Sequence, residues 1–183
     1  MIVLASASPR RRDMLRSAGV KFSVIPADVD ESPLSGESAL SLVERLAVKK
    51  ARAVIDSSSI VVLAADTVVV LDDEILGKPV DMDDARRMIE SLSGRRHLVM
   101  TGVCIYAPAT GIVKSWVTTT HVEFNELTDA EVTQYLRNAS PLDKAGAYAI
   151  QEHGDLLVKS VDGSYDNVVG LPLREVLEAL NEF

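Results

Sequence analysis

One stretch of the chain, residues 60–79, sets the strongest constraint on how it can fold. The stretch opens with an apolar, β-branched run that is typical of a strand buried on both faces, and Asp66 and Thr67 interrupt this run. A predicted turn at Asp72-Asp73 then returns the chain through a second short strand to Lys78. Such a hairpin would bring a lysine back towards the buried carboxylate.

Asp66 needs a compensating partner in this position. Burying an ionised carboxylate costs several kcal/mol unless a cation or hydrogen-bond donors offset the cost. Two interpretations follow. Asp66 either hydrogen-bonds the neighbouring backbone, or it is a catalytic acid/base or metal ligand that faces a cationic phosphate-binding group.

The composition predicts a globular enzyme of the cytoplasm. The chain has 183 residues, 47% of them hydrophobic and 25% charged, which suits one large domain or two small lobes with a buried core. No apolar run approaches the roughly 20 residues of a membrane span, and the apolar N-terminal segment is too short for a signal peptide. The net charge of −8 argues against nucleic-acid binding. The single cysteine, Cys104, excludes an intramolecular disulfide and is interpreted as a core residue.

Periodicity and capping residues predict the other elements. Predicted strands lie at residues 2–5, 22–26, 97–106, 112–124 and 156–161, and the segments 97–106 and 112–124 form a hairpin. Predicted helices lie at residues 9–18, 38–55, 81–92, 128–137 and 174–182, the fourth opened by a capping box. The turn-rich segment 138–167 is typical of a binding loop.

The segment Ser6-Ala-Ser8-Pro9-Arg10-Arg11-Arg12 predicts an anion site where the first helix begins. Ser8 is a favourable N-cap and Pro9 a favourable first helical residue. Free N–H groups and the positive end of the helix dipole would face the ligand, and arginines add bidentate reach. The alternative is an exposed basic first turn, which the helix dipole slightly disfavours.

Two further features carry charge suited to such a site. Lys50 lies on the apolar stripe of the second helix, where it either extends to solvent or faces an anion. The acidic loop that contains Asp28, Asp30 and Glu31 suits a divalent cation such as Mg²⁺, or a solvated turn.

These residues together predict a metal-assisted phosphate site. Cations would hold phosphate oxygens, while carboxylates would hold Mg²⁺ or take a proton from water. The chain contains neither Gly-x-x-x-x-Gly-Lys-Ser/Thr nor Gly-x-Gly-x-x-Gly, which argues against a P-loop or a dinucleotide-binding fold.

The whole chain resembles the Maf family of nucleoside triphosphate pyrophosphatases. The matching motifs are Leu4-Ala-Ser6-Ala-Ser8-Pro9-Arg10-Arg11, Lys50-Ala51-Arg52-Ala53, Ala65-Asp66-Thr67-Val68, Gly77-Lys78-Pro79, Ser93-Gly94, Thr101-Gly102-Val103, Asp143-Lys144-Ala145-Gly146-Ala147-Tyr148 with Gln151, Gly163-Ser164-Tyr165 and Val169-Gly170-Leu171-Pro172-Leu173. They occur in the family's order across nearly every predicted element.

The resemblance implies a fold and an activity. The fold is α/β, a central mixed sheet flanked by helices, with two lobes and a cleft, similar to inosine triphosphate pyrophosphatases. Residues 1–183 would be a single domain that cleaves nucleoside triphosphates to the monophosphate and pyrophosphate with a divalent cation, Mg²⁺ or Mn²⁺. A homodimer is common among such proteins, although no strip of this sequence compels one.

The resemblance also implies a role for individual residues. Asp66 matches the general base, and Glu31 with Asp66 would hold the metal. The ligands of the triphosphate would be Ser6, Arg10, Arg11, Lys50 and Lys78. The positions that the family associates with substrate choice would be Arg10, Thr67 and Gln151.

The segment from Asp143 to Gln151 resembles the branch that acts on dTTP and UTP. A Gln amide offers a donor and an acceptor to the imide edge of a pyrimidine, whereas the Glu of the 7-methyl-GTP branch would better accept from guanine N–H groups. Ala149 and Glu152 stand where the family commonly has Gly, and an inward Glu152 would shift base preference.

Two alternatives stay open at this stage. In the first, the chain is a nucleotide-binding regulator of septum formation and not an enzyme. In the second, it is the same enzyme but acts on purine triphosphates such as ITP or 7-methyl-GTP. Asp66 favours an enzyme over a binder, because a carboxylate beside a polyphosphate repels the ligand unless metal or catalysis is involved.

Overall fold

The computed structural model of the protein describes residues 2–54 and 61–183. The predicted helix end at Ile55 and the first residue of the opening stretch, Ile60, lie outside the described residues.

The described strands form one mixed sheet. They are β1 Ile2–Leu4, β2 Phe22–Val24, β3 Val62–Leu71, β4 Glu74–Leu76, β5 Arg96–Ala107, β6 Ile112–Phe124 and β7 Val158–Asp162. The strand order is β2-β1-β3-β5-β6-β7, and β4 pairs with β3. Strand β1 is parallel to both β2 and β3, whereas β4 is antiparallel to β3 and β7 is antiparallel to β6. The predicted mixed α/β sheet is therefore confirmed.

The predicted hairpin of the opening stretch is also confirmed. Val69 pairs with Leu76 and Leu71 with Glu74, so β3 turns back into β4 through two residues. Those residues, Asp72 and Asp73, have φ angles of 46° and 69°. Two successive left-handed residues are what a tight hairpin turn requires, and Asp tolerates that conformation better than most residues do.

The described helices are α1 Pro9–Ser17, α2 Ala39–Ala53, α3 Met82–Leu92, α4 Asp129–Asn138, α5 Gly154–Leu157, α6 Tyr165–Val169 and α7 Leu173–Leu180. Ser8, Ser38, Asp81 and Thr128 cap the first four, each accepting a hydrogen bond from the N–H three residues later. The capping box predicted at Thr128 and Glu131 is present. In the part of the chain that the structure describes, no helix is long and apolar enough to cross a membrane.

The prediction was wrong over parts of the C-terminal third. Helices α5 and α6 were missed, since four and five residues are too few to show a helical period. Strand β7 starts at Val158 rather than Leu156, because His153 adopts a left-handed conformation and the next residues form one helical turn. The last helix ends at Leu180, two residues before the predicted end.

Tyr148 lies in the core and not in an open binding loop. Its ring packs edge-on against His97 and Phe124, with centroid distances of 5.5 and 4.8 Å. Its hydroxyl shares a 2.8 Å hydrogen bond with Nε2 of His97, and burial raises the pKa of Tyr148. Burial also lowers the pKa of His97 to about 4, consistent with a structural histidine.

The chain divides into two compact units, each with its own core. The first unit comprises Met1–Thr67, Thr101–Thr118 and Gly170–Phe183, and the second comprises Val68–Met100 and Thr119–Val169. Leu4, Leu63 and Ile105 belong to the core of the first unit. Cys104 is buried in that unit, and burial raises the pKa of its thiol to about 11, as expected of a core residue.

Candidate active site

The carboxylate of Asp66 lies inside β3 and faces a cation. Asp66 is 8% exposed, and the neighbouring residues Ala65 and Val68 are buried. The Nζ atom of Lys50 lies 2.6 Å from Oδ1 of Asp66. The buried carboxylate thus has the compensating charge that its position in a core strand requires.

Lys50 joins a second carboxylate to this pair. It lies in the last turn of α2, is 8% exposed, and holds Oε1 of Glu31 at 2.8 Å from its Nζ atom. Lys50 therefore points into the protein instead of extending to solvent. Glu31 comes from the predicted acidic loop, and its side chain is half exposed. The result is an ammonium group between two carboxylates, one buried and one open to solvent.

Arg11 lies near Asp66 and Glu31, and its guanidinium makes three hydrogen bonds to other groups of the protein. Its Nε donates to the Gly170 carbonyl at 2.8 Å, its Nη1 to Oγ of Ser6 at 3.2 Å and its Nη2 to Oγ1 of Thr67 at 2.9 Å. Burial lowers the pKa of Arg11, and the charge of Asp66 acts in the opposite direction. The guanidinium therefore ties the start of α1 to β3 and to the segment before α7.

Ser6 and Thr67 belong to the same network. Oγ of Ser6 accepts from the N–H of Ser8 at 3.2 Å, as well as from Arg11. Oγ1 of Thr67 lies 2.9 Å from Oγ1 of Thr101, which is fully buried. Thr101 and Gly170 lie in the motifs Thr101-Gly102-Val103 and Val169-Gly170-Leu171-Pro172-Leu173, but neither was predicted to belong to the site.

The structure brings together six of the predicted site residues within the first unit: Ser6, Arg11, Glu31, Lys50, Asp66 and Thr67. Arg10 lies in the first turn of α1 in the same unit. Lys78 and Gln151 belong to the second unit, where Lys78 lies two residues after the end of β4 and Gln151 is exposed in the turn before α5.

The family model for Maf-like proteins matches residues 1–183. The chain belongs to the Maf-like protein family. The resemblance drawn from its motifs is thereby confirmed.

Relatives of this Maf-like protein match it over nearly its whole length. The dTTP/UTP pyrophosphatase of Anaeromyxobacter dehalogenans strain 2CP-C is 53% identical over 98% of this chain and 92% of that protein. The dTTP/UTP pyrophosphatase of Geobacter sp. strain M21 is 51% identical over 98% and 93%. That of Hahella chejuensis strain KCTC 2396 is 49% identical over 100% and 92%.

Solved structures confirm the fold class of this Maf-like protein. A HAM1 protein from Coxiella burnetii superposes with a TM-score of 0.60 at 16% identity, covering 100% of this chain and 98% of that one. The Staphylococcus aureus Ham1 protein gives a TM-score of 0.55 at 18% identity, covering 99% and 97%. At this identity the likeness shows the fold alone.

The donor set of the Maf-like site fits a hard divalent cation that is completed by substrate. Residues 2–54 and 61–183 contain no group of three or more His, Cys, Asp or Glu side chains placed to hold a metal ion. Mg²⁺ in phosphate-transfer sites is, however, usually bound by one or two carboxylates plus substrate oxygens and water. Glu31 and Asp66 both contact the ammonium of Lys50, so two carboxylates, the ligand type that Mg²⁺ takes, lie at this site.

Replacing Arg11 by Lys is expected to lower the free energy of unfolding by about 3 kcal/mol, because the three acceptors are spread around three nitrogen atoms of the guanidinium and lie too far apart for the single nitrogen of an ammonium to reach them all. Denaturant unfolding measures the change. Arg16→Lys is the matched control, since Arg16 lies on the same helix, its side chain is 70% exposed, and it forms an ion pair with the exposed Asp13. Equal stability of both variants would show that the Arg11 network does not stabilise the fold.

Proposed function

We propose that this Maf-like protein hydrolyses dTTP and UTP between the α- and β-phosphates, giving the nucleoside monophosphate and pyrophosphate. The observation that carries the proposal is the buried carboxylate of Asp66 paired with Lys50, which itself contacts Glu31. The names of relatives about 50% identical over nearly the whole chain support the choice of substrates.

Asp66 is proposed as the general base. It would take a proton from a water molecule whose oxygen forms a bond to the α-phosphorus, while the bond from that phosphorus to the bridging oxygen breaks and pyrophosphate leaves. Lys50 supplies the counter-charge that keeps the carboxylate in place at 2.6 Å. An ammonium group serves up to three acceptors, so Lys50 is also able to contact a phosphate oxygen beside the two carboxylates.

The other phosphate ligands are proposed from the family resemblance. In the first unit they are Ser6, Arg10 and Arg11, all at or before the first turn of α1, where backbone N–H groups and the helix dipole favour anions. Arg11 would act mainly by holding Ser6 and Thr67, given its three bonds to protein acceptors. Lys78 in the second unit is proposed as a further phosphate ligand.

Glu31 and Asp66 are proposed to hold a divalent cation, Mg²⁺ or Mn²⁺. When bound, the cation would neutralise charge that develops on the phosphate oxygens. Arg10, Thr67 and Gln151 are proposed to select the base, with the Gln151 amide able to donate to and accept from the imide edge of a pyrimidine.

We also propose that residues 1–183 act as one functional domain, since the family model matches them without interruption. Action in the cytoplasm and assembly as a homodimer are further proposals, the second of which light scattering tests directly.

The deciding experiment measures pyrophosphate release from dTTP, UTP, CTP, GTP, ITP and 7-methyl-GTP, with Mg²⁺ or Mn²⁺ and with EDTA. We expect turnover of dTTP and UTP at least about tenfold above the other substrates, because a site built to hydrogen-bond one base edge leaves polar groups unpaired with another. We expect EDTA to abolish the release of pyrophosphate from dTTP and UTP.

Each other outcome removes a defined part of the proposal. A purine preference would retain the hydrolase and overturn the assignment of Gln151. Activity that survives EDTA would overturn the metal assignment of Glu31 and Asp66. Absence of release by demonstrably folded protein would overturn the hydrolase and favour the nucleotide-binding regulator.

A further inference from the structure

Lys144 is a buried cation whose partners among residues 2–54 and 61–183 lie in the second unit. It is 2% exposed, and its ammonium lies 2.8 Å from Oδ1 of Asp143 and 3.2 Å from Oε1 of Glu152. It also donates to the carbonyl of Ser140. These three acceptors match the three N–H donors of an ammonium group, so this buried charge is fully satisfied.

Glu152 directly follows Gln151, the residue proposed to read the base. Its carboxylate contacts Lys144 and, through Oε2, accepts from the N–H of Ser140 at 3.5 Å. Among the three described partners of Lys144, Glu152 alone lies in the turn that carries Gln151. The other acceptors, Ser140 and Asp143, lie on or beside the 3-10 turn Pro141–Asp143, which precedes it.

The turn is also held through its backbone. The N–H of Glu152 donates to the carbonyl of Ala149 at 3.1 Å, and the N–H of Ala149 donates to the buried hydroxyl of Tyr135 at 3.2 Å. His153 then takes a left-handed conformation, with φ 56° and ψ 31°, before α5 begins. Gln151 therefore lies between Ala149, fixed to the core, and Glu152, fixed to a buried lysine.

We propose that Glu152 is a positioning residue that sets base choice: its ion pair with Lys144 fixes the turn that presents Gln151. This inference rests on the proposed function and on the role given there to Gln151. Glu152 itself faces Lys144, so it acts on the base through the turn and not by contact. The ammonium is buried and the Glu152 side chain is 41% exposed, so solvent screens this pair in part, less than it screens a pair with both groups on an open surface.

Glu152→Gln tests the tether, because the amide keeps the size of the side chain and removes its charge. Glu152→Ala removes the contact altogether. Glu123→Gln is the matched control, since Glu123 contacts Lys159 at 2.6 Å in the same unit but away from the turn. The readouts are backbone hydrogen exchange over residues 149–153 and kcat and KM for dTTP, CTP and GTP.

We expect exchange over residues 149–153 to become at least about tenfold faster in both Glu152 variants, because the local opening is no longer opposed by the ion pair. The ratio of kcat/KM for dTTP to that for CTP or GTP should fall at least about fivefold, with kcat for dTTP changing by less than about twofold. The control should change neither quantity.

Three results would overturn the inference. Unchanged exchange together with unchanged selectivity would show that the ion pair fixes nothing. Faster exchange with unchanged selectivity would break the link between the turn and base choice. Altered selectivity with unchanged exchange would mean that Glu152 contacts the base directly. If the wild type hydrolyses no triphosphate, the proposed function fails, and the exchange experiment still decides whether Glu152 holds the turn.

Discussion

Asp66→Asn is expected to lower kcat/KM for dTTP by about 10²–10⁴-fold, the range that a positioned general base contributes. Asn has nearly the same shape as Asp, so it fits the strand, but its amide cannot take a proton from water. Lys50 keeps its contact with the carboxylate of Glu31 in this variant. The loss should appear mainly in kcat, because the base acts in the transition state.

The measurement is steady-state pyrophosphate release with thermal unfolding measured in parallel. The unfolding midpoint separates a chemical defect from loss of the folded protein. Asp13→Asn is the matched control, since it makes the same atomic change at a carboxylate that is 67% exposed and contacts Arg16 on the surface of α1. If Asp66→Asn keeps full turnover, the base has been assigned to the wrong residue.

Gly102→Ala is expected to lower the free energy of unfolding by about 3 kcal/mol or more, because overpacking against a rigid backbone costs at least the upper part of the usual range. A Cβ atom on Gly102 would overlap the carbonyl oxygen of Val43 and would lie 2.7 Å from the N–H nitrogen of Glu44. Both are main-chain atoms of α2, so the clash cannot be relieved by turning a side chain. The helix itself has to move away from β5.

The expected fall in the unfolding temperature is roughly 6–12 °C, given about 2–4 °C per kcal/mol for a chain of this size. Activity should fall as well, because Lys50 lies on α2 two turns beyond Val43 and would move with the helix. Gly77→Ala is the control for stability, since a Cβ there meets nothing within 4 Å. Equal unfolding temperatures for the two variants would contradict the close approach of α2 and β5.

Features with a local cause could be predicted from the sequence. Ser8 and Thr128 were identified as caps because a cap bonds to an N–H only three residues away. The Asp72-Asp73 turn followed from two strand patterns separated by two residues. Short helices such as α6 were missed, because five residues are too few to show a helical period in the sequence.

For the candidate site, the sequence predicted individual residues but not the contacts between them. The sequence alone identified Asp66 as a carboxylate in a buried strand and Lys50 as a cation on a buried stripe, because each breaks an apolar pattern. That Lys50 bonds to Asp66, 16 residues away, and that Arg11 reaches Gly170, 159 residues away, was decided only by the tertiary structure. The contact between Lys144 and Glu152 likewise became known only from the tertiary structure. The physical reason is that periodicity reports which side chains face the core, whereas the choice of partner depends on distances that arise only once strands and helices have packed.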